Sequence, residues 1–117
     1  MKRTLLTLIA LAAAMPALAL PLHRVGTVTW HPTRYSGKVV RMEGYLLRRE
    51  KGYILFSDEP GGSVSSHDLP VIGTGIETIR PKRKYILTGL FVKGGLRAAN
   101  HNPYHLKLTA PPHRVGS

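Results

Sequence analysis

From Val39 to Leu47 apolar and polar side chains alternate almost one for one. Val40, Met42, Gly44 and Leu46 fall on one face, and Arg41, Glu43 and Tyr45 on the other, the period of a half-buried β-strand. Arg48 to Gly52 is a polar loop closed by glycine, and Tyr53-Ile54-Leu55-Phe56-Ser57 is a second strand, so the two read as a hairpin. After the turn Asp58-Glu59-Pro60-Gly61-Gly62, a weak third strand is predicted through Val64–His67 and, after a break, Leu69–Ile72. Pro70 confines that strand to an edge or a bulge. Gly73–Ile79 predicts a loop with one short helical turn, stopped by Pro81. Tyr85–Val92 is a strong fourth strand, and Tyr104–Leu108 alternates as the last one, after a loop over Lys93–Pro103.

An apolar-polar-glycine-apolar step occurs twice, at Met42-Glu43-Gly44-Tyr45 and at Leu87-Thr88-Gly89-Leu90. A glycine inside a strand marks a bulge or sharp bend. Two long strands each bent this way suit a small, strongly coiled barrel. Before the first strand, Trp30-His31-Pro32 interrupts any long helix, with room for one helical turn ahead of Pro32. Trp30 and Tyr35 read as lids on the core rather than ligand contacts. His23-Arg24-Val25-Gly26 returns as His113-Arg114-Val115-Gly116, too short to be a repeat unit and read as coincidence or paired terminal decoration.

Ahead of all this lies an export signal. Lys2 and Arg3 precede an apolar run from Leu5 to Met15, and Ala17-Leu18-Ala19 supplies the small residues of a cleavage site before Leu20. The run is shorter than the ~20 residues a membrane span needs. The expected organisation is a signal peptide over 1–19, one domain over 20–110 and a flexible tail over 111–117, working in the periplasm or as a secreted protein. A domain of this size buries roughly 60% of its unfolded surface. It has no cysteine to reinforce that core, which favours a closed barrel or sandwich and removes thiol catalysis and Cys-ligated zinc.

Five strands with a helical connection between the third and fourth are the order of the OB-fold. The residues carrying the likeness are Gly37-Lys38-Val39-Val40-Arg41-Met42-Glu43-Gly44-Tyr45-Leu46, Gly52-Tyr53-Ile54-Leu55-Phe56-Ser57-Asp58 and Pro81-Lys82-Arg83-Lys84-Tyr85-Ile86-Leu87-Thr88-Gly89. With the leader in front, the chain resembles the bacterial exported OB-fold proteins over about residues 27–110. The resemblance implies an all-β, five-stranded Greek-key barrel that binds oligosaccharides, oligonucleotides or other envelope ligands. Familiar members are acidic in the third strand and central surface, where this chain carries Ser, His and Pro.

Charge points to an anionic partner. Lys and Arg total 17 against 6 Asp and Glu, a formal +11, and a field of that sign concentrates anions at the surface. OB-fold ligands lie across strands 2 and 3 between the 1–2 and 4–5 loops. Here those loops carry Arg48, Arg49 and Lys51, and Lys93 and Arg97, with Asn100 and His101 beyond. Tyr45 and Tyr53 flank them as rings able to stack on bases or pyranoses. The predicted ligand site is Arg48, Arg49, Lys51, Tyr53, Tyr45, Lys93 and Arg97, for an anionic glycan, polyanion or oligonucleotide. A second cluster, Arg80, Lys82, Arg83 and Lys84, is expected at the opposite barrel end, as a solvated turn or a peripheral contact with anionic lipid.

Other chemistry is thin. The six carboxylates, Glu43, Glu50, Asp58, Glu59, Asp68 and Glu77, offer no evident acid–base pair. His67 and Asp68 beside Ser63, Ser65 and Ser66 have hydrolase residue types, but strand alternation would point them apart. No phosphate loop or nucleophile elbow is present, so a binding module is expected, not an enzyme, and no cofactor. An alternative is a protein-interaction module of the envelope presenting Leu47, Leu55 and Val92. A third reading is metal or haem handling by His101, Tyr104 and His105. His101-Asn102-Pro103-Tyr104 is similar to the His/Tyr segment of the OB-domain haem chaperones of cytochrome c maturation, with a spacing one residue shorter.

Overall fold

A computed structural model describes residues 20–116, so the expected leader lies outside the described residues. The elements are β1 (Leu22–Arg24), α1 (Val25–Thr29), α2 (Pro32–Tyr35), β2 (Val39–Arg49), β3 (Ile54–Ser57), β4 (Leu69–Ile72), a 3-10 turn (Ile76–Thr78), β5 (Lys84–Lys93), β6 (Tyr104–Leu108) and β7 (His113–Arg114). β2, β3, β4, β6 and β5 pair in that order, and β5 closes the circuit on β2. All these pairs are antiparallel except β4 with β6. This is the five-stranded OB-fold barrel, and the period-two reading of its strands holds.

The main core contains Val40, Met42, Leu46, Ile54, Phe56, Leu69, Val71, Leu87, Phe91 and Leu106. The helical turn expected before Pro32 is α1, which adds Val25 and Val28 to that core. The Asp58 carboxylate holds its start by accepting from Val25 N (2.7 Å) and Gly26 N (2.9 Å).

The two strand glycines stand where β2 and β5 change neighbours. The β2 edge pairs with β1 up to Glu43 and with β3 from Tyr45, so Gly44 is the point of exchange. The β5 edge pairs with β7 at Tyr85 and Ile86 and with β6 from Gly89. Space demands glycine at both places. A Cβ on Gly44 would lie 2.5 Å from Ser57 O, and one on Gly89 2.5 Å from Lys107 O.

Several expectations change. Val64–His67 is not a strand; Ser65–Asp68 is a turn, closed by Asp68 N donating to Ser65 O at 3.2 Å. Pro70 lies in a barrel strand rather than at an edge, opposite Leu55 of β3. The ladder with β6 begins one residue later, at Val71, so the missing N–H is tolerated there. The segment after Pro111 is tied down, because His113 and Arg114 pair with β5 and Val115 N donates to Lys84 O at 2.9 Å. The two His-Arg-Val-Gly stretches thus supply His23-Arg24 and His113-Arg114 to short strands flanking the β2–β5 ribbon.

Candidate anion-binding surface

Two cationic runs, about 30 residues apart in the chain, meet at one end of the barrel. That end is where β2 stops, β3 starts and β5 starts, since Tyr45 is in register with Lys84 and Arg49 with Ile54. Arg49 reaches across it, donating from Nη1 to Ile76 O (3.1 Å) and from Nη2 to Ile79 O (2.6 Å). Leu46 bridges to Pro81. These ties place Arg80, Lys82, Arg83 and Lys84 beside the last residues of β2, from Tyr45 to Arg49, not at the opposite end expected from the strand order. The 3-10 turn and Pro81 bring the chain back there before β5 begins.

The cations at this pole differ in freedom. Arg49 is committed to the two carbonyls. Arg48 Nε is 2.5 Å from a Glu50 carboxylate oxygen. Lys84 stands over the Tyr45 ring, 5.8 Å from its centroid, which occupies that tyrosine with a cation–π contact. Arg80 donates to Glu77 O at 3.0 Å. Lys51, Lys82 and Arg83 project into solvent. Lys82 holds a left-handed φ of 64°, uncommon for a residue with a side chain.

The outer face of β3 and β4, where an OB-fold ligand is expected to lie, is covered by the protein itself. Residues 94–103 fold back over it as a strap. Leu96 and Ala98 pack with Tyr53, Leu55, Leu47, Ile72 and Val64 in a second apolar cluster. Tyr53 is therefore buried, its hydroxyl accepting from Ala99 N at 2.8 Å, and offers no open ring. Leu55 is fully buried and Leu47 and Val92 are half-buried, so the three do not form the exposed apolar face of a protein-interaction module. The strap is anchored by Asn100 Nδ2, which donates to Ser65 O (2.9 Å) and Asp68 O (2.7 Å), and by Asn102 Nδ2, which donates to Asp68 O (3.0 Å). Gly94 N donates to Pro103 O at 2.8 Å, closing its base.

Lys93 is exposed where the strap leaves β5. Arg97 is carried on the strap, beside a pocket of about 410 Å³ lined by Leu96, Arg97, Ala98, His101 and Asn102. Of the seven predicted site residues, Arg48, Arg49, Lys51 and Tyr45 gather at the pole with the 80–84 run. Tyr53 lies beneath the strap, and Lys93 and Arg97 belong to the strap's side.

The histidines diverge. His101 is exposed at the pocket rim, whereas His105 is buried, with its Nδ1 unpaired. Burial pushes the His105 pKa below its ordinary 6.5; Lys107 adds to this and a backbone hydrogen bond with Gly94 opposes it. Tyr104 faces the core, stacked on Phe91 at 4.9 Å. These three side chains do not converge, and among the described residues no three His, Cys, Asp or Glu form a metal-holding group.

Sequence reasoning missed Trp30. It is no lid: 64% of its surface is exposed. Its indole stacks on the His67 ring, with centroids 3.6 Å apart and planes 14° apart. Tyr35, by contrast, does pack against the core.

No family model matches the chain, and no curated protein does. Among solved structures it is similar to one assigned to an aspartyl-tRNA synthetase of Leishmania major Friedlin, with TM-score 0.59 and 11% identity over 85% of this chain and 21% of that one. The chain thus spans about a fifth of the synthetase's length. It is also similar to OBody AM3L09, solved bound to hen egg-white lysozyme, with TM-score 0.57 and 13% identity over 81% of this chain and 94% of that one. At such identities the likeness shows the shared barrel alone.

Proposed function

We propose that this protein is an exported, non-enzymatic OB-fold module that binds an anionic polymer through its cationic pole. The observation that carries the reading is the meeting of Arg48, Arg49 and Lys51 with Arg80, Lys82, Arg83 and Lys84 at one barrel end; without Lys2 and Arg3 of the leader, 15 Lys and Arg stand against 6 Asp and Glu, a net charge of +9. Like charges are not gathered for stability; their mutual repulsion is a cost that a polyanion's opposite charge relieves, and release of the polyanion's condensed counterions adds to the binding. The leader-like segment supports an address outside the cytoplasm. The binding reading, as opposed to catalysis, is supported by the use of two carboxylates within the fold. Asp58 holds α1, and Asp68 accepts from Ser65 N at 2.7 Å.

The test is retention on immobilised heparin and polyphosphate as salt is raised. Each phosphate contact contributes about 0.7 to 0.9 to the slope of log affinity against log salt. Replacing Lys82→Gln and Arg83→Gln together lowers the slope on polyphosphate by about 1.5 and leaves the melting temperature in place. No retention on either polymer at low salt refutes the proposal. Stronger capture by phosphatidylserine vesicles than by either polymer would move the partner to a lipid surface, at about 1 kcal/mol per cation.

A further inference from the structure

Trp30 is the only tryptophan of the chain, and it is the most exposed of the large apolar side chains among the described residues. Leaving an indole in water forgoes a large burial gain, and the fold does so on a rigid mount. Trp30 N donates to Gly26 O at 3.0 Å at the end of α1, whose Val25 and Val28 are locked in the core. Its stacking partner His67 belongs to the Ser65–Asp68 turn, with His67 N donating to Ser65 Oγ at 3.2 Å. The buried Asn100 clamps that turn at both ends through Ser65 O and Asp68 O. One indole face rests on His67; 64% exposure leaves the other open.

The surroundings define what fits there. The strap bonded to the same turn bears Arg97 and His101 beside their pocket. The strap also bonds to Tyr53, which follows Lys51 and Gly52 of the cationic pole in the chain. The strap is thus bonded to Tyr53 through Ala99 and to the His67 turn through Asn100, and it carries the exposed cation Arg97 between the two. A sugar-binding ring is accompanied by side-chain acceptors for hydroxyl groups, but the Asp58 carboxylate near Trp30 is consumed by the Val25 and Gly26 amides. A flat, near-parallel pair of rings with one face open, on a strongly basic domain, is the arrangement that holds stacked bases on a phosphate chain.

We propose that Trp30, backed by His67, is a base-stacking subsite, and that the anionic polymer is single-stranded nucleic acid. This rests on the polyanion reading above but specifies a ring contact that charge alone does not require.

The single tryptophan is its own reporter. Titration with a short single-stranded oligothymidylate quenches its fluorescence, whereas polyphosphate and heparin bind without comparable quenching. Trp30→Ala weakens oligothymidylate binding about 5- to 100-fold, the range for one stacked base, and leaves polyphosphate binding unchanged. Trp30→Phe restores part of the loss. If Trp30→Ala binds oligothymidylate as wild type does, the subsite is refuted while polyanion binding stands. Tryptophan quenching by heparin, with oligothymidylate silent, also refutes it and assigns the rings to a glycan. Loss of polyphosphate binding in Trp30→Ala overturns the division between stacking and charge. Circular dichroism keeps misfolding apart from each result.

Discussion

Gly44→Ala tests the architecture that places the cationic pole. The added methyl would meet Ser57 O at 2.5 Å, Phe56 Cε2 at 2.9 Å and Val25 Cγ2 at 2.9 Å. Two of these neighbours are fully packed core side chains, and the third is a carbonyl of the paired strand. None can swing aside as a surface side chain would. Overpacking of this kind costs about 1–3 kcal/mol, while the lower chain entropy of alanine returns about 0.4–1 kcal/mol. All three approaches are below 3.0 Å, so the upper part of that range, about 2–3 kcal/mol, applies, and the net loss is about 1–2.6 kcal/mol, a fall in Tm of roughly 4–20 °C for a domain of this length. Gly61→Ala is the internal reference, since nothing lies within 4 Å of a methyl placed there and its φ is not left-handed. Its Tm stays level or rises slightly. Thermal unfolding by circular dichroism reads both. A Gly44→Ala protein melting within about 2 °C of wild type, half the smallest fall expected, would refute the claim that β2 exchanges β1 for β3 at a residue with no space for a side chain.

Other outcomes follow from the strap. Asn100→Ala removes donors from Ser65 O and Asp68 O at a buried site, costing about 1–3 kcal/mol. Hydrogen exchange of residues 94–103 should rise more than that of β2; a uniform rise would count against a locally anchored strap. His105 has a folded-state pKa below its unfolded value, so the unfolded chain takes up the proton first. Its contribution to stability is present above about pH 6.5 and is lost as pH falls from there towards the folded pKa. His105→Gln should flatten the part of the stability curve just below pH 6.5; an unchanged curve would dismiss His105 as its source.

How much of this was legible depends on how far the deciding contacts lie along the chain. The barrel strands are written in local alternation, and Gly44 and Gly89 show in sequence as interruptions of it. The strap is not legible in this way. Leu96 and Ala98 look like loop residues until Tyr53, 46 positions before Ala99, offers them a surface and a hydrogen-bond acceptor. The same holds for the pole. Arg80, Lys82 and Arg83 are plainly cationic, but their neighbours depend on how the 3-10 turn returns the chain to Arg49. Trp30 defeats the pattern for a related reason: large aromatic residues usually fill cores, and α1 is so short that its two valines take the inward positions.

The flanking strands β1 and β7 bear on how the molecule keeps its own company. Circular pairing leaves no long ribbon side for a neighbour to extend, and the additional rims are three and two residues long. Each ends in an arginine. Rims so brief and so charged give a second molecule little to zip onto, a safeguard that keeps copies of a cysteine-free barrel apart even when they are crowded together.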